Sequence, residues 1–344
     1  MSADTSADNN ILVIGPSWVG DMVLAQSLFK VLKQQNPAIA IDVAAPGWTL
    51  PLLERMPEIN EAIPLPFSHG KLDLGKRIKI GRRLKRRGYS QAILLTNSMK
   101  SALIPFSAHI PKRTGFLGEY RYGLLNDIRP LDKQKLPRTV DRFVALGLQP
   151  QQPIPTFIPI PHLIADTPNA LLALRRLDRA LPETQVLGLC PGAEYGPAKR
   201  WPAEYYAHVA NEALRRGWEV WLFGSQKDVE VTASINTLTN NNCLDLGGKT
   251  SLGEAIDLMS LTHTVVSNDS GLMHVAAALD KKLISIFGSS DPYHTPPLNP
   301  QAVILYLGLE CSPCFKRECP LGHTNCLNHL LPTKVIELLP SNAR

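Results

Sequence analysis

The chain has 344 residues, of which 44% are hydrophobic and 19% are charged, and its net charge is +6. This length suggests two domains of roughly 100–200 residues each, and the composition excludes a disordered or fibrous class. No apolar run approaches the ~20 residues that a membrane-spanning helix needs. The first ten residues, "MSADTSADNN", lack the basic and apolar regions of a signal peptide. We therefore expect a cytoplasmic protein with a short disordered start.

The positive charge is concentrated in the first half of the chain. Residues 1–165 carry 21 Lys and Arg against 12 Asp and Glu, whereas residues 166–344 carry 15 against 18. A basic half beside a slightly acidic half predicts that the first half meets a polyanion. Nucleic acid, an anionic membrane surface and a phosphorylated substrate all fit this pattern.

Strand and helix signals alternate along the first half, which favours a parallel sheet with helices on both faces. Strands are expected over residues 11–14, 39–43 and 92–96, and helices over residues 22–35, 75–87 and 138–146.

The first strand leads into "GPSWVGD", residues 15–21, which has the setting of a phosphate-binding loop. The loop contains neither G-x-G-x-x-G nor Gly-Lys-Ser/Thr, because Asp21 stands where a phosphate loop would carry lysine. Asp21 either caps the helix expected from Met22 or performs a chemical role that needs an acid.

The segment "KRIKIGRRLKRR", residues 76–87, has eight basic residues and no acid. On a helix, Ile78, Ile80 and Leu84 would form a thin apolar face. Like charges on one helix repel each other, so the run favours an anionic partner over a merely solvated face. Nucleic acid is a possible partner, but the segment lacks the interleaved aromatic residues of a single-strand groove, and no helix-turn-helix signature is present.

Five prolines in residues 149–161 indicate a linker, after which the alternation restarts. Two doubly wound halves are therefore expected, with ligands at the carboxyl ends of the strands, in a cleft between the halves. The expected strands of the second half cover residues 186–190, 220–223, 263–267 and 283–287, and the expected helices cover residues 203–216, 229–238, 252–260 and 271–279.

Two strand-to-helix turns of the second half carry candidate ligand contacts. In "PGAEYGPAKRWP", residues 191–202, Lys199 and Arg200 precede a helix, which suits a phosphate or diphosphate. The alternative is a basic turn with Trp201 packed on the core. In "FGSQKD", residues 223–228, Asp228 either binds ribose hydroxyls or is a first-turn acid favoured by the helix dipole.

The segment "SNDSGLMHVAAALD", residues 267–280, predicts a ligand at a helix N-terminus. Asp269 can instead be an N-cap, and His274 a satisfied core histidine.

Four cysteines crowd into "CSPCFKRECPLGHTNC", residues 311–326, whereas Cys190 and Cys243 are expected to be small buried residues. Cys311, Cys314, Cys319 and Cys326 have one C-x-x-C pair suited to zinc, but the second pair is spaced too widely for the usual knuckles. A reduced, packed loop is favoured over a zinc site.

These motifs together resemble the glycosyltransferase family that contains the lipopolysaccharide core heptosyltransferases, glycosyltransferase family 9. The family-level marks are "GPSWVGDMVLAQ", "PGAEYGPAKRWP" and "SNDSGLMHVAAALD". Residues 97–127 and the cysteine segment resemble the members that add the second heptose of the inner core. The resemblance covers nearly the whole chain.

The resemblance implies a GT-B fold, an α/β architecture of two Rossmann-like, doubly wound domains that face each other across a cleft. Residues 1–165 would bind the acceptor, and residues 166–344 the nucleotide sugar. The implied donor is ADP-L-glycero-D-manno-heptose, and the acceptor is Kdo2-lipid A carrying one heptose. Transfer would be inverting, without metal or cofactor. The enzyme would work at the cytosolic face of the inner membrane, against its anionic leaflet.

The resemblance also implies roles for individual residues. Asp21 matches the family's general base, Lys199 its diphosphate-binding lysine, and Asp269 the acid that holds heptose hydroxyls. Further donor contacts would come from Ser17, Gly20, Asp228, Lys249, Thr250, Ser270, Gly271, Leu272 and His274. Candidate acceptor contacts are Lys100, Arg113, Arg121 and the basic run.

Three other functions stay open from the sequence. The nearest is a sister heptosyltransferase acting at the first or third heptose. A dinucleotide-dependent oxidoreductase would need the missing G-x-G-x-x-G. A nucleic-acid-binding module would use the basic run and would bind in a salt-dependent way.

Overall fold

The computed structural model describes residues 10–67 and 72–340 and divides into two compact units. Pro161 ends the first unit and His162 begins the second, close to the boundary expected after residue 165. The N-terminal segment that we expect to be disordered lies outside the described residues as far as residue 9. None of the described helices has the length and apolarity that a bilayer span requires.

The first unit is a parallel sheet with intervening helices. Its strands are β1 (Asn10–Ile14), β2 (Ala40–Pro46), β3 (Glu61–Leu65), β4 (Gln91–Leu94), β5 (Lys112–Phe116) and β6 (Asp127–Arg129). Its helices are α1 (Val19–Gln35), α2 (Leu50–Leu53), α3 (Leu74–Leu84), α4 (Met99–Ser107) and α5 (Thr139–Gly147). The strand order is β3-β2-β1-β4-β5-β6. The order reverses between β1 and β4, which is where such sheets bind ligands.

The second unit repeats this topology. Its strands are β7 (Val186–Cys190), β8 (Glu219–Leu222), β9 (Leu244–Asp245), β10 (Thr264–Asn268), β11 (Lys282–Ile286) and β12 (Val303–Leu305). Its helices are α6 (Thr167–Arg176), α7 (Ala203–Arg215), α8 (Val229–Leu238), α9 (Leu252–Met259), α10 (Gly271–Ala278), α11 (Asn325–Asn328) and α12 (Pro332–Ile336). The order β12-β11-β10-β7-β8-β9 reverses between β7 and β10. The two doubly wound halves expected from the sequence are therefore confirmed.

Burial explains why the central strands read as continuous apolar runs. Four of the five residues of β1 and all five of β7 and of β10 are buried. Parallel strands are covered by helices on both faces, so neither face alternates with polar residues. The same covering buries Cys190, and Cys243 is buried as well, as predicted. Each strand therefore fixes the position of the loop that follows it.

The start of α1 differs from the expectation. The helix begins at Val19 instead of Met22, with Trp18 as its N-cap and no side-chain cap hydrogen bond. Asp21 therefore lies inside the first turn and does not cap the helix. A carboxylate in the first turn is still favoured by the positive end of the helix dipole.

The buried face of α3 also differs from the expectation. Arg77, Gly81 and Leu84 are buried, whereas Ile78 and Ile80 are only half-buried. Arg77 can be buried because its Nε donates to the Leu72 carbonyl at 2.7 Å and its guanidinium lies 3.8 Å from the centre of the Phe67 ring. The helix thus packs on a stripe made of a satisfied arginine, a glycine and a leucine.

Candidate active site

The loop after β1 places Asp21 at the switch point of the first sheet. Gly15 packs closely there, because a Cβ would lie 2.7 Å from the Met22 Cε and would require that side chain to shift. The backbone N–H of Gly15 donates to the Ala44 carbonyl at 2.9 Å, which ties the loop to β2. Gly20 is buried, and Asp21 is partly exposed in the first turn of α1. The loop therefore holds a carboxylate at the ligand-binding edge of its sheet.

Two exposed tryptophans lie in this loop and in the neighbouring one. Trp18 directly precedes α1, and Trp48 follows β2, the neighbouring strand. The Trp48 indole N–H donates to the Ser17 carbonyl at 3.0 Å. Ser17 is therefore held through its backbone at the same sheet edge as Asp21.

In the second unit, the loop after β7 and the loop after β10 meet at Asp269. This carboxylate directly follows β10 and is 5% exposed. One of its oxygens, Oδ2, accepts from both the Lys199 ammonium and the Ser290 hydroxyl. Its backbone N–H donates to the Ile286 carbonyl at 3.0 Å. A buried carboxylate needs such partners to remain charged. Lys199 and Asp269, predicted separately, are thus brought together, and Ser290 completes the cluster.

The side chain of Asn268 also links these two loops. Its amide nitrogen donates to the Pro191 carbonyl at 2.6 Å. Its side-chain oxygen accepts from the Trp201 N–H at 3.1 Å and from the Tyr206 hydroxyl at 3.0 Å. Sequence reasoning assigned Asn268 and Ser290 no role. Asn268 does stand inside a motif singled out from the sequence, whereas nothing local marks Ser290.

His274 lies one turn into α10 and is 5% exposed. Burial lowers its pKa to about 4, and the nearby Asp269 carboxylate opposes this shift while the Lys199 cation adds to it. The imidazole is therefore neutral at physiological pH. Its Nδ1 is buried without a hydrogen-bond partner in the structure. The described residues thus supply no partner for this ring nitrogen, and His274 as a donor contact stays a proposal.

The start of α10 provides backbone donors beside this cluster. Ser270 is the N-cap and makes no side-chain cap hydrogen bond, and Gly271 and Leu272 follow in the first turn. The first turn of any helix leaves N–H groups without partners inside the helix. These groups suit an anionic ligand.

Two of the residues expected to contact the nucleoside form hydrogen bonds within their own turns. Asp228 accepts from the Ser225 N–H at 2.9 Å and from its hydroxyl at 2.7 Å, which completes a capping box before α8. The Lys249 ammonium donates to the Asp245 carbonyl at 2.9 Å, and Thr250 is partly exposed. Gly192 lets Asp228 approach the loop after β7, because a Cβ there would lie 2.4 Å from the carboxylate.

The three expected acceptor contacts differ in availability. Arg121 is fully buried, and its guanidinium donates to carbonyls that include those of Thr96 and Phe116. This corrects the expectation that Arg121 contacts a ligand, because the guanidinium instead ties together the loops after β4 and β5. Arg113 donates to the carbonyls of Leu124 at 2.7 Å and Ile110 at 2.6 Å. Lys100 is half-buried.

The cations of the basic run divide into those held by contacts within the unit and those that line a surface hollow. Arg87 bonds the Glu61 carboxylate at 2.7 Å and the Asp42 carboxylate at 3.1 Å, so it is a structural cation, like Arg77. Four other cations of the run line a surface hollow of about 760 Å³. Its lining consists of Gly75, Ile78, Lys79, Arg82, Arg83 and Arg86.

The four C-terminal cysteines are free thiols. Burial and the nearby Cys311, Cys314 and Cys319 raise the pKa of Cys326, so the four thiols lie in one neighbourhood. Within residues 10–67 and 72–340, however, no three His, Cys, Asp or Glu side chains are arranged to hold a metal ion.

Known proteins resemble this chain along nearly its whole length. The sequence model of glycosyltransferase family 9 (heptosyltransferase) matches residues 77–325. Lipopolysaccharide heptosyltransferase 2 of Escherichia coli (strain K12) is 44% identical over 338 residues, which cover 96% of this chain and 97% of that protein. Lipopolysaccharide heptosyltransferase 2 of Salmonella typhimurium is 45% identical over 342 residues, with 96% and 97% coverage.

Solved structures agree with these relatives. The structure of E. coli ADP-heptose lps heptosyltransferase II superposes with a TM-score of 0.85 at 42% identity, covering 96% of this chain and 97% of that one. A family 9 glycosyl transferase from Veillonella parvula, at 21% identity and a TM-score of 0.84, shares the fold over 96% of both chains. These similarities confirm the GT-B fold class, and the chain belongs to glycosyltransferase family 9, the heptosyltransferases.

Proposed function

We propose that this enzyme transfers L-glycero-D-manno-heptose from ADP-heptose to the first heptose of the lipopolysaccharide inner core, on heptosyl-Kdo2-lipid A. The observation that carries the proposal is the identity of 44–45% along 97% of two relatives named lipopolysaccharide heptosyltransferase 2. The geometry supports it, because each sheet presents polar side chains at its switch point. A sister enzyme acting at the first or third heptose is the alternative.

We assign the proton transfer to Asp21. In an inverting displacement, the acceptor hydroxyl oxygen bonds to the anomeric carbon while the bond from that carbon to the ADP oxygen breaks. A base must take the hydroxyl proton as the new bond forms. Asp21 is a partly exposed carboxylate at the ligand-binding edge of the first sheet, which suits this role. The inverted configuration follows from a single displacement.

We assign stabilisation of the departing ADP to the second unit. Lys199 supplies a positive charge, and the N-terminus of α10 supplies backbone N–H donors. Asp269 accepts from Lys199 through one oxygen, which leaves the other oxygen to accept from heptose hydroxyls. Ser17 and Gly20 of the first unit, and Asp228, Lys249 and Thr250 of the second, remain proposed donor contacts. No metal or cofactor takes part in the proposed reaction.

We also propose that the exposed cations of α3, together with Lys100 and Arg113, meet the anionic acceptor and the inner leaflet. In this proposal the enzyme works at the cytosolic face of the inner membrane. Exposed cations near an anionic leaflet each contribute about 1 kcal/mol of attraction.

The test is a transfer assay with purified protein, ADP-heptose and acceptors truncated after Kdo, after the first heptose and after the second heptose. Transfer is expected only onto the acceptor that ends in one heptose. Asp21→Asn should lower kcat at least ~100-fold, since general-base catalysis contributes 10²–10⁴-fold. Asp132→Asn, which changes an exposed loop acid of the same unit, should leave kcat unchanged.

Three outcomes would contradict the proposal. Preference for the Kdo-terminated acceptor would indicate a first-heptose enzyme, and substantial turnover by Asp21→Asn would remove the base assignment. Loss of activity on titration with EDTA would contradict metal independence.

A further inference from the structure

The loop that carries Lys199 is attached to the cysteine-containing segment through residues 315–317. The Tyr195 hydroxyl donates to the Phe315 carbonyl at 2.8 Å, and the Ala198 N–H donates to the Arg317 carbonyl at 3.0 Å. Gly196 packs directly on this segment, since a Cβ there would lie 2.5 Å from the Arg317 carbonyl oxygen. These contacts fix residues 315–317 against the loop that follows β7.

This attachment brings a second cation close to Lys199. The Lys199 Nζ lies 5.1 Å from the centre of the Tyr195 ring, and the Arg317 Cζ lies 5.4 Å from the same centre. The two cationic groups therefore cannot be further apart than the sum of these distances. The aromatic ring orients both of them by cation–π attraction. Arg317 is exposed and, within the described part of the chain, forms no ion pair.

The charges of the donor-side cluster show why a second cation matters. The Lys199 ammonium is bonded to the Asp269 carboxylate, which offsets its charge. His274 is buried and neutral, so it adds none. Of the other nearby cations, Lys227 is paired with Glu194, and the Arg200 guanidinium donates to the Ala193 carbonyl of its own loop. A departing nucleoside diphosphate gains negative charge that this cluster does not balance.

We propose that Arg317 is a second cation for the diphosphate of the sugar nucleotide, so that residues 315–317 form part of the donor site. The inference rests on the proposed function for the identity of the donor. Arg317 lies against the same ring as Lys199, so it adds a positive charge there that Asp269 does not offset. The cysteine-containing segment thereby gains a role in placing this arginine.

The experiment measures ADP and adenosine binding by isothermal titration calorimetry with the full-length protein. Arg317→Gln should weaken ADP binding about tenfold, the usual value of one charge-assisted hydrogen bond. Adenosine binding should not change, because adenosine carries no phosphate. Arg317→Lys should lose less than about threefold, because it keeps the charge and loses only the forked geometry. Lys316→Gln, which removes the adjacent exposed cation, should match the unaltered protein.

Equal ADP affinity in Arg317→Gln and the unaltered protein would overturn the inference while leaving the proposed donor intact. Equal weakening of ADP and adenosine would also overturn it, since it would indicate a disturbed loop. If the unaltered protein binds no ADP, the proposed function fails and the role of Arg317 fails with it. Circular dichroism of each variant checks that the fold is retained.

Discussion

Asp269 is the residue on which the donor-side cluster depends. It is buried, and its Oδ2 accepts from Lys199 and Ser290, which come from different loops. Removing one partner of a buried charge leaves the other without compensation, which is more costly than losing an exposed ion pair. Asp269 therefore holds the Lys199 ammonium in position and also supplies the negative charge that offsets it. A donor hydroxyl that binds Asp269 enters an arrangement that is already ordered.

His274 makes the stability of the second unit depend on pH. Its folded pKa of about 4 lies below the unfolded value of 6.5, so the unfolded chain binds the proton more readily. Stability should fall as the pH drops from 6.5 towards 4, by on the order of 3 kcal/mol in total. Above pH 6.5 this effect should vanish, because the imidazole is then neutral in both states.

The measurement is urea unfolding of the protein and of His274→Gln between pH 7.5 and pH 4.5. The Gln variant should lose less stability than the unaltered protein over this interval. His208→Gln, which changes an exposed histidine of α7, is the control and should follow the unaltered protein. Parallel pH curves for all three proteins would mean that His274 is not the group responsible.

Much of this site could be predicted from the sequence one residue at a time. Lys199 and Asp269 stand in local motifs whose chemistry is readable, and the structure joins them. Ser290 and Arg317 could not be found in this way, because they reach the cluster through contacts between distant segments. Arg121 was misassigned for the opposite reason. An arginine in a basic loop reads as exposed, and only the fold shows the carbonyls that bury it.

At the scale of the elements, periodicity located most long helices and the central strands, but it did not predict several other elements, two of which contain proline. Strand β3 contains Pro64, and α4 contains Pro105. Proline removes a backbone donor, so both segments read as loops. The structure tolerates Pro64 because β3 is an edge strand. The apolar stripe of α3 was misread because a buried arginine and a glycine occupy positions that usually hold apolar side chains.

The packing of α3 against α4 depends on Gly81. A Cβ at this position would lie 2.5 Å from the Ile104 carbonyl oxygen and 2.7 Å from the Ser107 Cβ. Gly81→Ala should therefore destabilise the protein by about 1–3 kcal/mol, as overpacking usually does. Gly75→Ala in the same helix should be neutral or slightly stabilising, because nothing lies within 4 Å of its Cβ position and alanine favours helix. Urea unfolding compares the two, and equal stability would contradict the packing argument.

The exposed side of α3 should act on the acceptor alone. Arg82→Glu combined with Arg83→Glu reverses two cations that line the hollow on this helix. We expect the apparent KM for the lipid acceptor to rise at least about fivefold, from lost attraction to anionic groups. The KM for ADP-heptose should not change.

The control for this prediction is Lys133→Glu combined with Arg175→Glu, which changes the net charge equally at exposed positions elsewhere. Initial-rate kinetics with each substrate varied in turn provide the measurement. A similar rise in both KM values, or the same effect in the control, would indicate a general charge effect instead of an acceptor surface.

At the scale of the whole molecule, the two units share one topology but carry different charge. The first half carries the excess of Lys and Arg, whereas the second has a slight excess of Asp and Glu. Both sheets place loops at a switch point, yet the first unit presents an acid there and the second a lysine–aspartate pair. The two units therefore share a fold but present different chemical groups at their switch points. This division accounts for the absence of a phosphate-binding lysine after β1, because in the proposed reaction the diphosphate belongs to the second unit.

This division can be tested without any transfer reaction, by hydrogen–deuterium exchange with and without ADP. At ~100 times its Kd, ADP should stabilise the unit that binds it by about 2.7 kcal/mol. Exchange should therefore slow in peptides that cover α7, α10 and the loops before them, and stay unchanged in peptides that cover β2, α3 and β4. Adenosine at the same multiple of its own Kd should protect fewer peptides around Lys199, because it has no phosphate to contact them. Protection confined to the first unit would reverse the proposed assignment of donor and acceptor, since stabilisation by a ligand appears first where its contacts are made.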